Sequence, residues 1–240
     1  MKEKEKKVII IGHRGANSVA PENTLKSFQK AIDLDADYIE FDIHQSKDGE
    51  IVVMHDSNTF ATTGHKGSIN RMTIEELKRL DCGDGEQIPT LRETIELAKG
   101  KIGLLCDIKA SGLTKKLVNI LKEEELIQTS LISSFIFNEL LKIQKLESNL
   151  KLGLLLSEEL RIPRIIKRMV QKAINNDFYS IHLFYEIIEK KIIEIAHNNN
   201  LKVIAWTVDN EEIMKKLINL GVDGLITNDI AKAKSVLSQI

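Results

Sequence analysis

The stretch Ile9-Ile10-Ile11-Gly12-His13-Arg14-Gly15 holds an apolar run, a stop and two ionisable side chains within seven residues. The β-branched run 8–11 predicts a buried strand. A strand this apolar is covered on both faces, as in a parallel sheet. It stops at Gly12, so His13 and Arg14 fall at its carboxyl end, where α/β sheets and barrels carry their chemistry. Gly12 and Gly15 let the backbone bend tightly around that pair.

Outward from this stretch, apolar runs alternate with amphipathic ones. A helix is predicted over 24–34, with Glu22-Asn23-Thr24 as cap chemistry and Leu25, Phe28, Ala31 and Ile32 as its apolar face. The next strand, 38–43, sets Glu40 and Asp42 on one side by period two. Asp48-Gly49 marks a hairpin turn, and 51–55 returns antiparallel to it. An irregular, Gly-rich excursion follows over 64–88, with a short helix near 73–80; Pro89-Thr90 opens a helix to 98. Strands are then predicted at 102–108, 130–135, 152–156, 178–183, 203–208 and 224–227. Helices separate them at 113–124, 138–147, 165–174, 186–197 and 211–220, and a last helix closes the chain. Without the returning strand, the parallel candidates number eight, the signature of a closed (β/α)₈ TIM barrel. A doubly wound open sheet fits less well, because no Gly-rich phosphate turn follows the first strand.

The chain reads as one domain over 1–240, with a small insertion at about 57–88. With 34 basic and 35 acidic residues it carries no basic stripe, so no nucleic-acid partner is expected. Cys82 and Cys106 have neither metal-ligand spacing nor a disulfide framework, and read as thiols of a reducing compartment. Segment 1–7 is polar and the apolar run behind it is short, so neither a signal peptide nor a membrane-inserted segment is expected, and the location read is cytoplasmic. Composition carries no signal of oligomeric state.

The strand ends collect the chemistry. His13 and Arg14 follow the first strand, Glu40 and Asp42 lie on the second, and His55-Asp56 end the returning strand, whose loop is expected to fold over the mouth. Asp107 and Lys109 lie two apart at the end of 102–108, and Trp206 lies near the end of the seventh parallel strand. Three converging carboxylates repel one another unless a cation lies between them, and oxygen-only ligation favours Mg²⁺ or Ca²⁺ over Zn²⁺. Arg14 and Lys109 offer a fork and a point charge suited to phosphate. Two histidines suit proton transfer from an attacking oxygen and to a leaving one. Together these describe metal-assisted hydrolysis of a phosphate ester. Taken singly, His13 also fits a strand cap, Glu40 and Asp42 a solvated edge strand, Asp107 and Lys109 a local ion pair, and Trp206 a core residue. His182 sits where it can line a pocket, without an assigned role.

An ordered set of motifs carries a resemblance. His13-Arg14-Gly15, Pro21-Glu22-Asn23-Thr24, Glu40-x-Asp42, Asp48-Gly49 and Val52-Val53-Met54-His55-Asp56 come first. Thr73-x-Glu75-Glu76-Leu77, Ile88-Pro89-Thr90-Leu91, Asp107-x-Lys109, Ser134-Phe135, Trp206-Thr207-Val208 and Gly221-Val222-Asp223-Gly224 follow in order. The set resembles the glycerophosphodiester phosphodiesterases, in the short-insertion form of their cytoplasmic bacterial members. The resemblance implies a (β/α)₈ barrel that splits a small glycerophosphodiester into sn-glycerol 3-phosphate and an alcohol. It implies one divalent cation, Mg²⁺ or Ca²⁺, on Glu40, Asp42 and Asp107. His13 and His55 become the acid/base pair, with His55 expected as base and His13 as acid. Arg14 and Lys109 become phosphate ligands, and Phe135 and Trp206 an apolar wall for the glycerol.

Four departures stand out. Asp107 replaces the family's usual glutamate, and one missing methylene withdraws its carboxylate by about 1.5 Å. The arginine common after the His-Asp pair is absent, with Ala61 near its place. The late Thr-Asp-x-Pro pattern reads Thr227-Asn228-Asp229-Ile230, and the Asn after Trp-Thr-Val is Asp209; these two are expected to affect loop packing or specificity rather than chemistry. Two other readings share the residues. One is a lysophospholipase D-like enzyme, which needs an apolar groove off the metal site. The other is a catalytically weak phosphodiester-binding barrel, for which Asp107 speaks.

Overall fold

The computed structural model describes residues 8–157, 159 and 161–240; segment 1–7, read above as free of a signal or span, lies outside the described residues. β1 (Ile9–Gly12), α1 (Leu25–Asp33) and β2 (Tyr38–Gln45) lead into the hairpin strand β3 (Ile51–Val53) and the short helices α2 (Phe60–Thr63) and α3 (Ile74–Lys78). α4 (Leu91–Ala98), β4 (Gly103–Ile108), α5 (Thr114–Glu123), β5 (Ser130–Ser134), α6 (Phe137–Leu146) and β6 (Lys151–Leu155) follow. α7 (Pro163–Ile174), β7 (Ser180–Phe184), α8 (Lys190–His197), β8 (Lys202–Trp206), α9 (Glu211–Leu220), β9 (Gly224–Thr227) and α10 (Ile230–Leu237) complete the chain.

Among the described residues, eight strands pair in parallel and in sequence, and β9 returns to β1 through Ile9↔Gly224 to Gly12↔Thr227, closing a TIM barrel. β3 stands outside the ring, antiparallel to the far end of β2. No described helix is long and apolar enough to cross a membrane.

Two apolar layers follow from the period-two alternation of each strand. Outward residues such as Ile10, Phe41, Cys106, Ile132 and Val203 pack under the helices. Inward residues Ile11, Leu105, Leu131, Ile204 and Ile226 fill the barrel floor. Glycines take the inward positions where a neighbour is large: a Cβ on Gly103 would lie 2.5 Å from the Tyr38 ring, and one on Gly153 2.5 Å from His182 Nε2. Above the floor most of the next inward positions are polar, which is how this sheet builds a site.

The hairpin and insertion form a satellite to the barrel. Val52, Met54, Ile69, Leu77, Cys82 and Ile88 make a second small core there. Asp48 ties it down by accepting from the Ile74 backbone N–H at 3.1 Å, and the side chains of Thr73 and Thr90 close capping boxes with Glu76 and Glu93.

Some predicted boundaries move for local reasons. The helix expected over 186–197 starts at Lys190, because residues 185–187 form a 3₁₀ turn and Ile187 and Ile188 are buried on the way into it. The helix expected at 165 starts at Pro163, whose missing N–H costs nothing at a first helical position. β3 ends at Val53, so His55 lies on the segment beyond the strand.

Candidate active site

The inner face at the strand carboxyl ends opens into a pocket of about 260 Å³. All nine residues singled out from the sequence line it: His13, Arg14, Glu40, Asp42, His55, Asp107, Lys109, Phe135 and Trp206. Each barrel strand delivers its side chain by parity, as Ile11 leads to His13, Leu105 to Asp107 and Ile204 to Trp206. β3 delivers His55 from outside the ring, and Met54 N–H bonds the Asp42 carbonyl at 3.0 Å to hold that segment against β2.

The turn after β1 is held by its surroundings. Arg14 adopts φ 52°, a left-handed conformation that costs a non-glycine residue on the order of 1 kcal/mol or more. Its N–H donates to Glu40 Oε2 at 2.8 Å. Gly15, at φ 86°, sits so close to α1 that a Cβ would lie 2.1 Å from Ser27 Oγ. The Arg14 guanidinium donates through Nη1 to both oxygens of Glu22, at 2.9 and 2.8 Å, and its Nε lies 3.4 Å from Asp42. Asn23, also left-handed at φ 56°, donates to Asp42 Oδ2 at 2.8 Å. Of the three residues read as cap chemistry, only Thr24 caps α1; Glu22 and Asn23 orient the site. Sequence alone hid this because caps and site ligands use the same short polar residue types.

Glu40, Asp42 and Asp107 are buried, and one oxygen from each lies within 4.8 Å of the others. Burial, then the charges of Asp42 and Asp107, push the Glu40 carboxyl well above its ordinary range. Burial raises Asp107 to about 6 despite Lys109 beside it. Burial also acts to raise Asp42, but Lys109 and Arg14 outweigh it and hold that carboxyl low. Lys109 Nζ lies 2.6 Å from Asp107 and 3.0 Å from Asp42, so the expected ion pair exists inside the cluster and does not complete it. Asp107 Oδ1 is buried with no hydrogen-bond partner. A buried, oxygen-only, under-neutralised set with an orphaned carboxylate oxygen fits a hard divalent cation.

His13 Nδ1 lies 2.8 Å from Asn228 Oδ1, and His55 Nδ1 lies 2.8 Å from Asp56 Oδ1. Burial, then the neighbouring Arg14 charge, lowers the His13 pKa. Phe135 and Trp206 meet edge to face with ring centres 5.8 Å apart, and Lys109 Nζ lies 5.4 Å from the Phe135 ring centre. Opposite the acidic side the wall is neutral: Ser133, Leu155, Ser157, His182 and Thr207. His182 is fully buried, with Nε2 2.9 Å from Ser180 Oγ and Nδ1 unpartnered, and burial drops its pKa to about 3. His182 was legible only as an inward position of β7. Ala61, near the place of the missing arginine, is exposed on α2 and away from the pocket lining.

A family model described as "Glycerophosphoryl diester phosphodiesterase family" matches residues 13–232. A glycerophosphodiester phosphodiesterase of Caldanaerobacter subterraneus subsp. tengcongensis is 38% identical over 236 residues, covering 93% of this chain and 95% of that one. Among solved structures, a glycerophosphodiester phosphodiesterase from Thermotoga maritima superposes with a TM-score of 0.83 at 28% identity, covering 98% and 99% of the two chains. A phosphodiesterase from Oleispira antarctica, solved with the product sn-glycerol-3-phosphate, superposes with a TM-score of 0.84 at 28% identity, covering 96% of each.

Proposed function

This chain belongs to the glycerophosphoryl diester phosphodiesterase family, and on that premise we propose that it hydrolyses small glycerophosphodiesters to sn-glycerol 3-phosphate and an alcohol, with one divalent cation on Glu40, Asp42 and Asp107. The observation that carries this reading is the buried carboxylate cluster facing Lys109 and Arg14 within one small pocket. Held by Glu40, Asp42 and Asp107, a cation such as Mg²⁺ or Ca²⁺ would supply charge neutralisation and Lewis acidity beside the phosphate.

The chain's own residues do the rest. Arg14, already aimed by Glu22, and Lys109 face the phosphate oxygens. Phe135 and Trp206 hold the glycerol carbons against an apolar edge and keep water from that side. His13 and His55 form the acid/base pair: one takes the proton of the attacking glycerol hydroxyl, and the other protonates the departing alkoxide. A cyclic phosphate results, which water opens with the same two residues in exchanged roles. A pocket of about 260 Å³ suits glycerol, one phosphate and a compact head group.

The test is release of glycerol 3-phosphate from glycerophosphocholine and glycerophosphoethanolamine, in EDTA, Mg²⁺ or Ca²⁺, with His13→Ala alongside. Turnover that needs a cation and disappears in the variant supports the reading. Tight binding of the diesters without turnover under any ion replaces it with the phosphodiester-binding barrel.

A further inference from the structure

Resting on the reading of His13 as a proton-transfer group, we infer that Asn228 and Asp209 form a positioning relay that fixes its tautomer and makes it the residue that takes the first proton. The relay joins two loops that follow β8 and β9. Asp209 is an acceptor only, and it anchors the loop after β9: its Oδ1 accepts from the Asn228 N–H at 2.8 Å and from Thr227 Oγ at 3.0 Å. Its Oδ2 accepts from Asn228 Nδ2 at 2.7 Å. The Asn228 amide therefore has one allowed orientation, with Nδ2 on the carboxylate and Oδ1 on His13 Nδ1, 2.8 Å away. Asn17 Nδ2 donates to the same Oδ1 at 3.2 Å and confirms that this atom is the acceptor.

An acceptor opposite Nδ1 requires the proton on Nδ1. The neutral ring then carries its lone pair on Nε2, and His13 lines the pocket. A ring in that state can accept a proton from a substrate hydroxyl and cannot donate one at Nε2. Its surroundings agree. Its burial, then the Arg14 charge, opposes the imidazolium and outweighs the Asn228 hydrogen bond and the charges of Asp42 and Glu22, which favour it. The carboxylate of Asp209 is one amide away rather than in contact. On this inference His13 takes the first proton, the opposite of the acid role expected of it from the sequence, and donation to the leaving alkoxide falls to His55.

The same geometry explains two departures from the family pattern that were expected to concern loop packing. The pattern places Asn where Asp209 stands and Asp where Asn228 stands. The acid and the amide stand in exchanged places, and in this chain they are joined by hydrogen bonds that end on His13. Its effect is to present His13 with a neutral oxygen.

The double exchange is the test. Asp209→Asn leaves two amides facing each other and frees the Asn228 group to turn, and Asn228→Asp sets two carboxylates in contact. Each single change lowers kcat by about 10- to 100-fold with little change in KM, because neither residue contacts the pocket contents. Asp209→Asn with Asn228→Asp restores kcat to within a few-fold of the parent and moves the acidic limb of the pH–rate profile upward, since His13 then faces a carboxylate. Long-range ¹H–¹⁵N spectra of the histidine-labelled parent, with His13→Gln for assignment, report the proton on Nδ1 of His13 without recourse to turnover. A proton on Nε2 there, or a double variant no better than the singles, overturns the inference. Both outcomes are separable from failure of the proposed reaction, which would abolish turnover in the parent.

Discussion

His182 allows a quantitative test of the barrel interior. Its ring is fully buried on β7, with Nδ1 unpartnered and its pKa pushed down by burial to about 3 from 6.5. The unfolded chain gains a proton on this residue below pH 6.5 and the folded chain does not. Stability therefore rests on the neutral form, is complete above pH 6.5, and is lost as pH falls towards 3. Between pH 7.5 and 5 this one group removes about 2 kcal/mol of folding free energy, since each pH unit below 6.5 is worth about 1.4 kcal/mol. For a chain of this length that corresponds to a Tm shift of about 4–8 °C. His182→Gln replaces the ring with a neutral group whose cost does not depend on pH. Urea midpoints of parent and variant, measured with saturating cation across that range, should converge as pH falls, by about 2 kcal/mol in total. His13 and His44, also held low by burial, titrate in both proteins and cancel. Parallel pH dependences for the two proteins would refute the reasoning and place the ring in contact with water.

Two further outcomes follow from the acidic cluster. Because burial holds Glu40 and Asp107 above the ordinary carboxylate range, cation binding near pH 6 should release on the order of one proton, read by calorimetry in buffers of different ionisation enthalpy; binding with no proton release contradicts the assignment of the cluster. Asp107→Glu extends the orphaned oxygen by about one carbon–carbon bond, and should lower the cation concentration for half-maximal activity several-fold; an unchanged or higher concentration shows that Asp107 already reaches the ion.

The barrel was legible because its inner face repeats a simple pattern: an apolar residue, then two positions later an ionisable or aromatic one. Ile11–His13, Leu105–Asp107 and Ile204–Trp206 follow it, and strand parity is enough to place them together. His182 also takes an inward position, on β7, but Ser180 stands two positions before it, so the apolar step of the pattern is missing there. Glu22 and Asn23 were legible as polar residues before a helix and not as partners of Arg14 and Asp42, since nothing local separates a cap from a clamp. Asp209 and Asn228 lie on successive loops whose approach depends on how β8 and β9 dock, which pattern reading does not supply. The turn at 185–187 shows the opposite failure, where isoleucines that suit a helix are used to bury a connection.

The contact between His13 and Asn228 spans 215 positions, from the end of the first strand to the end of the last. It forms only once β9 has zipped onto β1. A nascent chain that has made β1 to β8 already has the acids on β2 and β4 and the lysine beyond them, but its imidazole lacks the Asn228 partner. Ring closure and the anchoring of this imidazole thus arrive in one event. On the proposed roles, synthesis makes the residue that would react first and the residue that would steady it 215 positions later.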